Sequence, residues 1–218
     1  MRAMKDELAR SMKKLQLENL AKPYFVSYRV VEQAFCSATA VFGSLTVQGA
    51  CEPVGQPRNR GLSVEIRVGD YARDNTNFWA PMVNAGVVRL TPMGVTMPID
   101  DSYDEVRRQL WLATDSAYKT ALDTYAKKKA ALEHRTRQDN VPDFSHEPVV
   151  HDEETEPHAG WRQEDVESLV KMLSALFREM PGIDNSAASF RGQEWLVRYV
   201  NSEGTSYTRQ KSLITLQI

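Results

Sequence analysis

Apolar residues recur along this chain with two different periods. Over residues 2–18, Met4, Leu8, Met12 and Leu15 return every three or four positions among Lys, Arg and Glu, which predicts an amphipathic helix closed off by Pro23. The period then falls to two. Tyr24, Val26, Tyr28 and Val30 alternate with Phe25, Ser27 and Arg29. Residues 36–42 are small and β-branched up to the break at Gly43, and Leu62, Val64, Ile66 and Val68 alternate with Ser63, Glu65 and Arg67. Strands with one apolar and one polar face favour an antiparallel sheet over a parallel one. The segment from Gly55 to Gly61 reads as a loop by composition. Residues 79–101, with Pro81, Pro92 and Pro98, predict a long, partly ordered connection with at most a short strand near Val87–Leu90.

The helical period returns at Ser102-Tyr103-Asp104-Glu105, a capping box with Ser as N-cap and Glu at N3. The helix is expected to run to about Arg135. Val106, Leu110, Ala113, Ala117, Ala121 and Tyr125 form its stripe, and Arg and Lys towards its far end suit the macrodipole. Residues 138–160 hold Pro142, Pro148, Pro157 and seven acidic residues, the composition of a loop or linker. A second amphipathic helix follows over 162–180, carried by Val166, Leu169, Val170, Leu173, Leu176, Phe177 and Met180 and stopped by Pro181-Gly182. Strands close the chain at roughly 184–190, 194–201 and 206–218, with turns at Gly192 and Glu203-Gly204. Segregated strands and helices predict an α+β fold with a mainly antiparallel sheet, spanning 1–218 as a single domain. The last strand, Leu213 to Ile218, runs to the final residue, which suggests a chain cut from something longer.

Composition adds limits. The 218 residues suffice for a buried core, and 42% hydrophobic with 26% charged is ordinary for a globular chain. A net charge of -2 supplies no global basic field for nucleic acid, and Lys127-Lys128-Lys129 reads as a solvated helix face. No apolar run reaches the roughly 20 residues a membrane span needs, and residues 1–20 lack the apolar stretch of a signal peptide. A cytoplasmic setting is expected, or a periplasmic one if a signal peptide has been removed. Cys36 and Cys51 are too few for a disulfide framework, and their β-like surroundings favour buried free thiols; a bridge between them would need an oxidising compartment.

Two strings carry candidate chemistry. His146-Glu147-Pro148-Val149-Val150-His151 has the types a zinc peptidase needs: two imidazoles for the metal and a carboxylate to polarise its water. The context opposes it. Pro148 interrupts the segment, acidic residues follow, and a third ligand would have to come from elsewhere, with His134 and His158 the remaining histidines. Asp70 to Phe78, rich in Asp and Asn, could offer oxygens to calcium, yet it lacks the EF-hand pattern, and tight-turn chemistry is the commoner use of such residues. Trp79, Trp111, Trp161 and Trp195 are spread along the chain and read as core or cover.

Five strings, taken together, carry a resemblance: Lys22-Pro23-Tyr24-Phe25; Arg67 to Tyr71 with Asp74 to Phe78; Arg107 to Asp115 with Ala117-Tyr118-Lys119; Asp143-Phe144-Ser145; and Asn201 to Thr205. As a set they resemble the N-terminal domain of TldD/PmbA proteins, also described as modulators of DNA gyrase, in a divergent branch. The resemblance covers essentially the whole chain. It implies a metallopeptidase family of two-domain proteins assembling as homo- or heterodimers. The N-terminal domain helps shape the cavity for an extended peptide, and the zinc helix lies in sequence beyond it. On that basis zinc belongs to the missing C-terminal half, and no catalytic, cofactor or metal residue is expected in this chain. Its partners would be that half, a dimer partner and an extended peptide substrate. His146, Glu147 and His151 carry the family's spacing in the wrong domain. Two alternatives stay open: a self-sufficient zinc hydrolase using those three residues, and a non-enzymatic interaction module presenting the helix 102–135.

Overall fold

The computed structural model describes residues 1–47, 51, 59–78, 95–133, 141–154 and 160–218. The elements are α1 (Arg2–Lys14), β1 (Pro23–Val41), β2 (Ser44–Val47), β3 (Asn59–Val68), β4 (Val95–Thr96), α2 (Tyr103–Glu133), β5 (His151–Glu154), α3 (Gln163–Ala175) with a 3-10 turn (Leu176–Glu179), β6 (Ala188–Asn201) and β7 (Ser206–Gln217). The fold is α+β. Its seven strands form a mostly antiparallel sheet in the order β4-β3-β1-β6-β7-β5, with β2 pairing β1.

The chain divides into two compact units. Unit 1 takes residues 1–31, 61–153 and 197–208. Its core sets Val26, Tyr28 and Val30 of β1 and Leu62, Val64, Ile66 and Val68 of β3 against Met4 and Leu8 of α1 and Leu110, Ala117, Tyr118 and Ala121 of α2. The alternation read for β3 is the alternation observed: every even position from Arg60 to Val68 is buried. Unit 2 takes residues 32–60, 154–196 and 209–218. There Cys36, Ala38 and Ala40 of β1 meet Val166 and Val170 of α3 and Ala188 and Phe190 of β6.

Several expectations are corrected. The two early strands are one, 19 residues long, and the strands expected at 184–190 and 194–201 are one as well. Gly192 is no turn. It lies in β6 under the Trp161 ring, where a Cβ would stand 2.8 Å from ring atoms. Gly43 does make a turn: with Phe42 at φ 45° and Gly43 at φ 77°, both central residues are left-handed, as a two-residue hairpin requires. α1 stops at Lys14 rather than 18 because Leu15 already adopts extended dihedrals. Cys36 and Cys51 are not free thiols but a disulfide. The expected strand at Val87–Leu90, and His134, His158 and Trp79, lie outside the described residues.

α2 keeps half of its capping box. Ser102 Oγ accepts from the Glu105 N–H at 3.5 Å, but the Glu105 carboxylate turns forward to Arg108 and Gln109. Among the described residues its last turn holds no basic side chain; Lys127 to Lys129 lie further back, and Arg135 lies outside the described residues. Its buried stripe is wider than the apolar pattern, since Thr114, Thr124 and Lys128 are also buried. Polar groups tolerate that burial because each is satisfied: Thr114 Oγ1 donates to the Leu110 carbonyl at 2.6 Å, and Thr124 Oγ1 to that of Thr120 at 2.9 Å.

Candidate functional site

Four of the five strings that carry the resemblance meet in unit 1. The loop after β3 is their centre. Asp70 Oδ1 accepts from the Arg73 N–H at 2.8 Å, closing an Asx turn, and the Asp70 N–H donates to the Arg73 carbonyl at 3.0 Å. Gly69, at φ 108°, lets the chain enter this turn. Asn75 copies a strand: its Oδ1 accepts from Val68 N–H at 2.8 Å and its amide donates to the Ile66 carbonyl at 3.2 Å.

Asp74 is fully buried and saturated with donors. It accepts from Tyr24 Oη at 2.7 Å, Arg67 Nη1 at 2.9 Å, Thr76 Oγ1 at 2.6 Å and Thr76 N–H at 2.7 Å. Burial pushes its pKa up, but hydrogen bonds from Thr76, Tyr24 and Arg67 outweigh that and hold the carboxyl below its usual range. The same contact, with burial as the larger cause, pushes the Tyr24 phenol up. These residues therefore use their oxygens on the protein itself. The geometry is that of turn-building, not of a cation loop.

Asp143-Phe144-Ser145 docks on this loop. Backbone N–H groups of Asp143 and Phe144 donate to the carbonyls of Ala72 and Tyr71. Asp143 Oδ2 accepts from the Asp74 N–H at 2.9 Å and pairs with Lys128 Nζ at 2.5 Å. Lys128 also donates to the Thr76 carbonyl, so one buried ammonium ties α2, the loop and the 143 segment together. Phe144 lies with Arg67 over its ring at 3.8 Å and with Phe25 edge-on at 4.8 Å. Beside this lysine runs a cavity of ≈ 270 Å³ lined by Arg73, Tyr125, Lys129 and Leu132.

The zinc-like string emerges from that dock. Residues 145–150 are neither helix nor strand, and His151 opens the short strand β5. His146 is exposed and stacks on Tyr71 with ring centroids 3.6 Å apart; its Nδ1 stands 3.9 Å from Glu203. The same Glu203 accepts a 2.5 Å hydrogen bond from Tyr71 Oη, which pushes that phenol up to about 12. Glu147 accepts from Ser145 Oγ at 2.7 Å. His151 Nδ1 bonds Ser206 Oγ at 3.1 Å, on the rim of a cleft of ≈ 410 Å³ between α1 and the β6–β7 turn. A zinc peptidase needs both imidazoles on one helical face with the carboxylate free to hold water. Here the string is not helical and each of the three side chains is engaged by a different neighbour, so these residues do not fit that metal. Among the described residues no group of three or more His, Cys, Asp or Glu could hold a metal ion.

No protein-family profile and no curated protein matches the sequence. Solved structures do. A Thermotoga maritima protein described as a "putative modulator of a DNA gyrase" superposes on 99% of this chain at 13% identity with a TM-score of 0.53. This chain has a TldD/PmbA-like fold. It spans 38% of the length of the Thermotoga protein. Also matched are TldE from Thermococcus kodakarensis (TM-score 0.45, 10% identity, 98% of this chain and 38% of that one) and a modulator-of-gyrase protein from Bacteroides thetaiotaomicron (0.47, 11%, 99% and 39%). At such identities the likeness is one of fold. Within the TldD/PmbA-like fold, the cluster of Tyr24, Arg67, Asp74, Lys128 and Asp143 went unnoticed as a unit in the sequence. Its members are up to 119 positions apart; the resemblance grouped the strings that hold Tyr24, Arg67, Asp74 and Asp143, while Lys128 lies in none of them and reads in the sequence as part of a solvated helix face.

Proposed function

We propose that this chain is a substrate-shaping or dimerising module of a TldD/PmbA-type metallopeptidase, and that it performs no peptide hydrolysis by itself. The observation that carries the reading is the fold match over 99% of this chain and 38% of the Thermotoga protein, a match in which the greater part of the Thermotoga protein has no counterpart in this chain. The non-helical backbone at 145–150, with His146, Glu147 and His151 turned to separate neighbours, supports assigning the zinc chemistry elsewhere.

A second feature supports the shaping role. β7 has 12 residues and its outer neighbour β5 has four, so among the described residues most of that edge of β7 has no strand beside it. The segment from Ser212 to Ile218 carries no charge, and Leu213, Ile214, Leu216 and Ile218 are all exposed. An uncharged, apolar strand edge of this kind accepts an extended segment through backbone hydrogen bonds.

The test is an incubation of the purified chain with a labelled unfolded peptide in the presence of excess zinc. Retention of intact peptide, weakened by Ile214→Lys and Leu216→Lys, is the expected result. Cleavage of the peptide by this chain alone would overturn the reading.

A further inference from the structure

Both cysteines of the chain lie in unit 2. Cys36 sits in β1 on the same face as Ala38 and Ala40, fully buried against Val166, Val170 and Phe190. Cys51 packs against the same cluster, and the two sulfurs are bonded across 15 positions of sequence. Between them run the second half of β1, the Phe42-Gly43 turn and β2.

β2 has little else to hold it. It is four residues long and its pairing to β1 is interrupted by a register shift at Thr39/Ala40. Ser44, Thr46 and Val47 are exposed, and only Leu45 reaches the core. The turn is fastened to the other side by the Gly43 N–H, which donates to Ser174 Oγ at 2.8 Å, and by Arg178 Nε, which donates to the Phe42 carbonyl. A strand this short buries too little apolar surface to stay docked on packing alone.

We propose that the Cys36–Cys51 disulfide is a structural clamp that holds the β1–β2 hairpin on the α3 face, and that the chain acquires it in an oxidising compartment from a protein disulfide oxidant. One cysteine thiolate attacks the oxidant's disulfide to give a mixed disulfide. The second thiolate displaces the oxidant's sulfur, and the two protons given up by the cysteines are taken up by the oxidant, which leaves as a dithiol. Cys36 has no exposed surface, so a reductant reaches the bond only from the Cys51 side or after unit 2 opens. This inference is independent of the peptidase reading. It places the protein where disulfides persist.

The experiment expresses the full chain in a host's oxidising periplasm and in its reducing cytoplasm. Thiols are counted by alkylation in denaturant followed by mass measurement, and each form is followed by melting and hydrogen exchange. The expected periplasmic form has no alkylated cysteine. Reduction is expected to lower its Tm by on the order of 10 °C, the effect of opening a loop this short in a chain of this size. Exchange should accelerate at least tenfold in β2 and in α3 around Val166 and Val170, while Tyr28, Leu110 and Tyr118 in unit 1 stay protected. The double variant Cys36→Ala/Cys51→Ala should match the reduced form; if it fails to fold, reduced wild-type chain supplies the same comparison. Two alkylated cysteines in the periplasmic form, or identical melting and exchange in both redox states, would overturn the clamp.

Discussion

At the scale of single residues, the Lys128–Asp143 pair is the most consequential. Both side chains are almost fully buried, and Lys128 also satisfies the Thr76 carbonyl. Lys128→Met would remove the ammonium from a buried ion pair, and a broken buried pair costs about 3–5 kcal/mol. Urea unfolding should report a loss of that size, against a few tenths for Lys127→Met, whose amine is exposed. Asp74 sets a pH dependence. Its folded pKa is depressed, so the stability it contributes is fully present above the unfolded carboxylate value of about 3.9. That stability is lost as pH falls through the lower folded value. Asp74→Asn should be less stable at neutral pH and should show a flatter acid limb in denaturation followed by circular dichroism. Tyr71 works in the opposite direction: Glu203 raises its phenol to about 12, so Glu203→Gln should bring tyrosinate absorbance up at lower pH.

At the scale of elements, the two periods of the sequence located α1, β3, α2 and α3, because in each of them buried residues fall at the apolar spacing. The misreadings have physical causes. Gly192 looked like a strand break because glycine so often is, yet in β6 it makes room for Trp161, a neighbour 31 positions away that no local pattern reveals. Gly192→Val should therefore cost about 1–3 kcal/mol through overpacking and shift the Trp161 fluorescence. β5 was hidden by its acidic composition. Its pairing is secured by backbone and by Thr205 and His151 contacts rather than by an apolar face. The stripe of the helix expected over 162–180 fails at Leu176 and Met180, both exposed, because the α-helix gives way to a 3-10 turn at Leu176 and Met180 is already extended. The candidate site was the least legible feature. Asp74 and Asp143 stand out locally only as turn and loop residues, and their meeting on Lys128 is a property of the folded chain.

At the scale of the whole molecule, a TldD/PmbA-like fold and a histidine string with that family's spacing point in different directions. The string lies outside any helix, where stacking on Tyr71 and a bond to Ser206 take the two imidazoles. The fold supplies instead a sheet in which, among the described residues, most of one edge of β7 has no strand beside it, and a tightly bound polar cluster beneath a docked loop. A calorimetric titration of the full chain with zinc at neutral pH, followed by a peptidase assay, tests this account most directly. The account predicts no stoichiometric zinc binding, no peptide cleavage, and no change in either on His146→Ala or His151→Ala. One equivalent of bound zinc, lost together with peptidase activity in His146→Ala, would contradict it.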